Sequence, residues 1–186
     1  MKVKKRIAEI QERICNDELF NSILNAYYDE AKGDEGLSDY EAEYLTARSA
    51  LSDILNETQS TSLAEAESLC LEGEKWLMRF AYVRGVYVGF QQYFTPEKAN
   101  HVFEIQIMNK VMTLPGMKSY PSYYECRSKI LELFEKARDG LCEEYTDHVT
   151  NIEAAWSNRD LGVSRHAFYT GYRYALSVVG QVAPLG

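Results

Sequence analysis

The chain has 186 residues, of which 46% are hydrophobic, and its 20 basic and 28 acidic residues give a formal net charge of −8. This length and hydrophobic content are typical of one folded domain with a buried core, and they exclude a disordered chain. The negative charge opposes contact with a polyanion, so no nucleic-acid partner is expected. If the chain were a regulator that touches DNA, its only basic segment for that contact would be residues 2–6.

The first residues resemble a signal peptide only in their basic start. Glu9, Gln11, Glu12 and Arg13 interrupt the apolar run that export requires. Isoleucines, leucines and aromatics at steps of three and four instead predict N-terminal helices over residues 2–32. No stretch of the sequence approaches the roughly 18 uncharged apolar residues of a membrane span. We therefore expect a cytoplasmic protein with no membrane partner.

The cysteines are widely spaced and form no Cys-x-x-Cys pair. In a cytoplasmic protein such thiols are expected to be reduced and mostly buried. An exported protein would allow two disulfides among the same four residues, which are Cys15, Cys70, Cys126 and Cys142.

Capping patterns predict where the later helices begin. Ser38, Ser62 and Ser122 each precede a glutamate by three residues, which is typical of a helix N-cap. The polar residues 58–61 and 157–162 predict connections between helices, and the run from Ser122 to Trp156 is either one helix or two helices divided near Gly140. The sequence thus predicts an all-α bundle of about six helices in one domain (1–186), over residues 2–32, 38–57, 62–94, 96–112 (a connecting helix), 122–156 and 164–182.

Two segments of the chain resemble each other when Gly85 is aligned with Gly171, because alanine, aromatic and small residues then coincide. Ser38 precedes Gly85 by 47 positions and Ser122 precedes Gly171 by 49. A helical hairpin cannot bury its apolar face alone, so stacking two of them would make one core. The sequence therefore predicts two similar helical-hairpin repeats, at about residues 38–94 and 122–181.

Each repeat ends in a helix with two small residues four positions apart, Gly85 and Gly89 in the first and Gly171 and Ala175 in the second. This spacing leaves a flat strip along which another backbone can approach closely. We expect these four residues to pack the two repeat-final helices against each other.

An aromatic-x-x-Gly-x-x-x-Gly pattern begins at Tyr82, and a related pattern, with Ala175 as its last small residue, begins at Phe168. In this pattern the chain resembles a duplicated form of a small uncharacterised bacterial all-helical family. The resemblance covers both repeats and implies a fold but no activity. The chain departs from the family in having Val86 and Tyr172 where an arginine usually follows the first glycine.

Few residues of the chain are suited to catalysis or metal binding. Among the three histidines, His148 lies four residues after Glu144, and His101 lies three before Glu104, so each pair shares a helical face; the third is His166. The Glu-x-x-His pairs of di-iron bundles are missing from the sequence, as are a Gly-x-Ser-x-Gly elbow and glycine-rich nucleotide loops. We therefore predict no metal, no cofactor and no catalytic residues.

The chain is unusually rich in tyrosine, with fourteen residues. Tyrosine joins a large apolar ring to a polar tip, which suits protein interfaces and pocket rims. The leading prediction is a non-enzymatic protein-binding or self-assembly module, with a homodimer as one form. The alternative is a small-ligand-binding protein or enzyme whose site lies between the two repeat-final helices and uses Arg84, Tyr87, His166, Tyr169 and Arg173.

Overall fold

A computed structural model describes residues 17–31, 35–94 and 121–182, and the described part of the chain is all-helical, as predicted. The predicted connecting helix 96–112 and the first part of the N-terminal helices lie outside the described residues. The described helices are α1 (Asp17–Ala31), α2 (Glu35–Leu51), α3 (Glu57–Phe94), α4 (Pro121–Arg138) and α5 (Glu143–Val182).

The chain divides into two compact units, and the long helices α3 and α5 each contribute residues to both. The described residues of unit 1 are 17–28, 77–94 and 163–182. In α1, Phe20, Ile23 and Tyr27 form a buried stripe at helical spacing, which explains why this segment is helical. The rest of the unit 1 core comes from α3 and α5, through Leu77, Met78, Ala81, Tyr82, Val163, Ala167, Phe168, Ala175 and Val179.

The described residues of unit 2 are 29–31, 35–76 and 121–162. Leu51, Leu63, Phe134 and Ile152 are fully buried here, one from each of α2, α3, α4 and α5. Burying a side chain of this size contributes roughly 1.5–3 kcal/mol, so these four helices stabilise one another. The same core includes Ala47, Ala66, Cys70, Leu133, Ala137, Val149 and Trp156.

Helix α3 begins earlier than the capping pattern predicted. Asn56 accepts a hydrogen bond from the amide of Gln59 at 2.9 Å, and the Gln59 side chain accepts one from the Asn56 amide at 3.0 Å. This reciprocal pair is a capping box that uses asparagine and glutamine. The predicted turn at 58–61 is therefore wrong, and Ser62 lies inside the helix rather than at its cap.

Helix α2 also differs from its prediction. It begins at Glu35 and ends at Leu51, so Ser38 lies within the helix and is not its N-cap. The chain then turns at residues 52–55, where the Ser52 hydroxyl donates a hydrogen bond to the Ser49 carbonyl. Helix α4, in contrast, begins one residue before Ser122, with Pro121 in a position where proline suits a first helical turn.

Residues 157–162, predicted as a connection, lie inside the continuous helix α5. Trp156 and Val163 are buried on either side of this polar stretch, and Arg159 within it bonds to Glu74 on α3. Tertiary packing therefore outweighs the weak helix propensity of the segment. The predicted run 122–156 is divided near Gly140, the second of its two predicted forms, where φ is +76° and glycine is favoured.

Across the described helices, none has an apolar stretch long enough to cross a membrane.

Candidate functional site

In unit 1, helices α3 and α5 approach closely at Gly85. A Cβ atom on Gly85 would overlap the carbonyl oxygen of Phe168 and lie 2.9 Å from the amide nitrogen of Tyr172. Both atoms belong to the backbone of α5, so no side-chain movement could make room. Only glycine allows this approach.

Gly171 has the matching environment on the other helix. Its Cβ would overlap the carbonyl oxygen of Tyr82 and lie 3.1 Å from the amide nitrogen of Val86. One helical turn further on, a Cβ on Gly89 would lie 2.7 Å from the Cβ of Ala175. The structure thus places all four predicted packing residues along one contact between α3 and α5.

Two of the five predicted ligand-binding residues, Arg84 and Tyr87, are neighbours on α3. Arg84 and Tyr87 flank Gly85 in sequence, so the 3.6-residue period of the helix turns them to other faces. The Arg84 guanidinium carbon lies 5.1 Å from the centre of the Tyr87 ring, and Tyr87 is 55% exposed. This pair is a cation–π contact on the surface.

The three candidates on α5 have separate neighbours. The His166 ring lies 5.8 Å from the ring of Tyr27 on α1, and the Tyr169 ring meets Phe168 edge-on at 5.8 Å. Arg173 is exposed. The described contacts therefore join Arg84 to Tyr87 and do not gather all five side chains around one site.

Sequence analysis missed a buried ion pair in unit 2. Glu74 on α3 is 1% exposed, and Arg159 on α5 donates two hydrogen bonds to it, from Nε to Oε2 at 2.6 Å and from Nη2 to Oε1 at 3.3 Å. A two-point contact of this kind fixes the geometry of both side chains. Burial raises the pKa of Glu74 to about 8, and the nearby Asp160 carboxyl adds to this rise, while Lys75 opposes it.

Asp160 follows Arg159 on α5 and is a second acidic group in this region. Its Oδ1 is shielded from solvent and has no hydrogen-bond partner. Burial raises the pKa of Asp160 to about 7, and the positive charges of Arg127 on α4 and Arg159 limit the rise. Glu74 is therefore bonded to a guanidinium, whereas Asp160 Oδ1 is not bonded to one.

Trp156 completes this group, one helical turn before Asp160. The Arg159 guanidinium carbon lies 4.9 Å from the centre of the indole ring, and Tyr44 on α2 meets that ring edge-on at 6.3 Å. The indole Nε1 is buried without a hydrogen-bond partner. We use the name acidic cluster for Glu74, Trp156, Arg159 and Asp160.

One sequence signal could have revealed the acidic cluster. Glu74 is buried within a regular apolar stripe of α3, and the half-buried Asp160 follows the spacing of a similar stripe of α5. A charged residue inside such a stripe is rarely buried unless it is paired. The α3 stripe runs through Leu63, Ala66, Cys70, Leu77 and Ala81, and the α5 stripe through Ile152, Trp156, Val163 and Ala167.

The described cysteines are free thiols in three environments. Cys70 is buried, and burial raises its pKa to about 12. Cys126 is half-buried, its pKa is also raised by burial, and its thiol donates to the Leu69 carbonyl at 3.5 Å. Cys142 is exposed. Raised pKa values disfavour the thiolate, so Cys70 and Cys126 are poor nucleophiles.

The predicted metal-ligand pairs remain isolated where they can be followed. His148 lies beside the ring of Tyr145, at 6.5 Å, and the pair His101 and Glu104 lies outside the described residues. Among the described residues, no three acidic, histidine or cysteine side chains are grouped so as to hold a metal ion. Comparison with protein-family models, curated proteins and solved structures finds no match to this chain.

Proposed function

We propose that this chain is a non-enzymatic helical module, formed by duplication of one helical hairpin, that binds a second copy of itself in the cytoplasm. The free thiols of the described cysteines support a reducing compartment. A different protein partner is the second form of the same proposal.

The helix boundaries support the duplication. Helices α2 and α4 begin at Glu35 and Pro121, which are 86 residues apart, and α3 and α5 begin at Glu57 and Glu143, which are also 86 residues apart. The small residues Gly85 and Gly171 have the same separation. A single constant offset is the pattern expected of a repeated unit.

The buried side chains follow the same offset. Each buried hydrophobic residue of α2 and α3 has a buried counterpart 86 residues later, including a cysteine matched by a tryptophan. Such agreement in three dimensions supports two copies of one packing pattern. The matched pairs are Ala47 and Leu133, Leu51 and Ala137, Leu63 and Val149, Ala66 and Ile152, Cys70 and Trp156, Leu77 and Val163, Ala81 and Ala167, and Tyr82 and Phe168.

The observation that carries the binding role is a set of exposed apolar side chains on α3 and α5 of unit 1. Tyr87 on α3 is 55% exposed, and Tyr174 and Leu176 on α5 are 51% and 39% exposed. The Arg84 guanidinium stacks on the Tyr87 ring. Tyrosine and arginine are enriched at protein interfaces. In a homodimer the same residues would serve both copies.

The test is the mass of the protein in solution, measured by light scattering during size-exclusion chromatography over a dilution series. We expect the native protein to have a mass of at least two chains of 21.3 kDa. Tyr87→Ser and Leu176→Ser should lower that mass towards 21.3 kDa, because each removes exposed apolar area from the interface. Circular dichroism would check that both variants remain helical.

Leu45→Ser and Leu131→Ser are matched controls, because these leucines are exposed in unit 2 and should leave the mass unchanged. A native mass of 21.3 kDa at every concentration would contradict self-association. Equal dissociation by the control variants would contradict the choice of surface.

The alternative function is the binding of a small ligand. The observation in its favour is the pair of buried polar atoms without partners in unit 2, Trp156 Nε1 and Asp160 Oδ1, beside acidic groups with raised pKa values. Native mass spectrometry of freshly purified protein separates the two functions. Extra mass that stays bound to the native protein and is released by denaturation would favour ligand binding. A mass equal to two or more chains would favour assembly.

A further inference from the structure

The acidic cluster in unit 2 contains two carboxyl groups but only one arginine. The Glu74 carboxylate is bonded to Arg159, whereas Oδ1 of Asp160 is shielded from water and bonded to nothing in the described structure. If both carboxyl groups were ionised, one buried negative charge would lack a bonded counter-charge. Leaving a carboxylate charged under those conditions costs far more than giving it a proton.

We propose that Glu74 and Asp160 act as one proton-binding pair, which holds a single proton while unit 2 is folded and makes the folding of this unit depend on pH around neutrality. The carboxyl groups occupy positions 86 residues apart, so each would come from one of the matched halves. The inference does not depend on the proposed self-association, because all of its residues belong to unit 2.

Charged and titratable groups reach the pair from each neighbouring helix. On α4, Arg127 acts on Asp160, and Cys126 lies against α3. On α3 itself, Lys75 acts on Glu74, and Cys70 stays protonated because its pKa is about 12.

On α2, Tyr44 donates a hydrogen bond to Glu67 at 2.9 Å, and Arg48 is paired with the same carboxylate at 3.3 Å. None of these groups bonds to Asp160 Oδ1, which has no hydrogen-bond partner. A proton is therefore the simplest way to neutralise the second carboxyl group.

The direction of the pH effect follows from the folded and unfolded pKa values. The pKa is raised from 4.5 to about 8 for Glu74 and from 3.8 to about 7 for Asp160, so the folded state binds more protons than the unfolded state between these limits. Stability is then greatest at the acidic end of this range and falls as the pH rises. The single proton held by the pair lowers the ratio of folded to unfolded protein by about tenfold for each unit that the pH rises.

The experiment follows unfolding by the fluorescence of Trp156 in the full-length Trp76→Phe chain, which leaves this tryptophan as the only one. Denaturant titrations from about pH 5 to about pH 9 should show the folded ratio falling by about tenfold per unit near neutrality. Adding Asp160→Asn should remove this slope and leave the variant more stable than its parent at the alkaline end, because the amide needs no proton.

Glu132→Gln is the matched control. It removes an exposed carboxylate that pairs with Lys136, and the pKa of Glu132 is lowered by that pair, so the slope near neutrality should be unchanged. An Asp160→Asn variant with the slope of its parent would overturn the proposal.

A second measurement applies if Asp160→Asn fails to fold. Carbon-13 NMR of the native chain, labelled at the aspartate and glutamate carboxyl carbons, should show one carboxyl group titrating near neutral pH. If every such resonance titrated near the ordinary values of 3.8 and 4.5, the proposal would be wrong.

Discussion

Gly85 and Gly171 have a reciprocal relationship: each glycine lies against the carbonyl group of the residue three positions before the other. Gly85 faces Phe168, and Gly171 faces Tyr82. This exchange makes the contact between α3 and α5 depend equally on the two glycines. It also means that a side chain on either one meets backbone, which cannot rotate away.

The first prediction concerns single alanine substitutions at these glycines. Gly85→Ala and Gly171→Ala should each destabilise the chain by several times the roughly 1 kcal/mol scale of helix propensity, because the methyl group forces the helices apart. The control is Gly73→Ala, whose Cβ would make ordinary contacts at 3.9 Å with Cys126 and 4.0 Å with Ile130. It should gain up to about 1 kcal/mol from helix propensity. Chemical denaturation measures all three, and equal stability of Gly85→Ala and its parent would contradict close packing.

The second prediction concerns the double variant Gly85→Ala/Gly171→Ala. Once one methyl group has separated the helices, the second meets less resistance, so its added cost should be smaller than its cost alone. The loss of stability in the double variant should therefore be smaller than the sum of the two single losses by about 0.5–3 kcal/mol, the range for residues in contact. Full additivity would show that the two glycines lie in independent environments.

Sequence reasoning identified the parts of the fold that depend on local pattern. Apolar spacing gave the all-helical class, and small residues four apart gave the positions where α3 and α5 meet. Both follow from the geometry of a helix and need no knowledge of its neighbours. The composition near Gly140 also allowed a division of the run 122–156 into two helices, and the left-handed turn lies there.

Features that depend on packing between distant segments could not be obtained in this way. Residues 157–162 resemble a loop in composition, but contacts with α3 keep them helical. Glu74 and Asp160 look like ordinary surface acids in a charged chain, and only the fold shows that they approach each other. Their place in the apolar stripes was a signal, but it did not indicate which base would pair with them.

The third prediction tests the beginning of α3. Asn56→Ala removes the side chain that accepts a hydrogen bond from the Gln59 amide and should destabilise the protein by about 1 kcal/mol, the usual cost of an N-cap. Ser62→Ala is the control, because Ser62 lies within the helix and should cost less. Thermal unfolding compares the two variants. A larger loss at Ser62 would restore the later helix start that its capping pattern predicted.

The fourth prediction concerns the order in which the thiols react. Cys142 is exposed, whereas Cys70 is buried with a pKa of about 12 and Cys126 has a raised pKa. Because the thiolate is the reactive form, iodoacetamide at about pH 8 should modify the described cysteines in the order Cys142, Cys126 and Cys70. Peptide mass spectrometry gives the order, and unfolded protein, in which all three should react alike, is the control. Early modification of Cys70 in the folded chain would contradict its burial.

The last prediction separates the geometry of the Glu74–Arg159 ion pair from its charge. Arg159→Leu leaves the Glu74 carboxylate buried without its guanidinium, which costs about 3–5 kcal/mol when one partner of a buried pair is removed. The loss should shrink as the pH falls through about 8, the raised pKa of Glu74, because a protonated Glu74 no longer needs the arginine.

The double variant Glu74→Leu/Arg159→Leu provides the control for lost packing. Replacing both partners by apolar residues of similar size should restore most of the stability, since the unpaired charge and its desolvation cost disappear together. Denaturant titrations at about pH 5 and about pH 8 measure each variant. If the double variant were as unstable as Arg159→Leu at both pH values, the arginine would stabilise unit 2 through its contact with the Trp156 ring rather than through its charge.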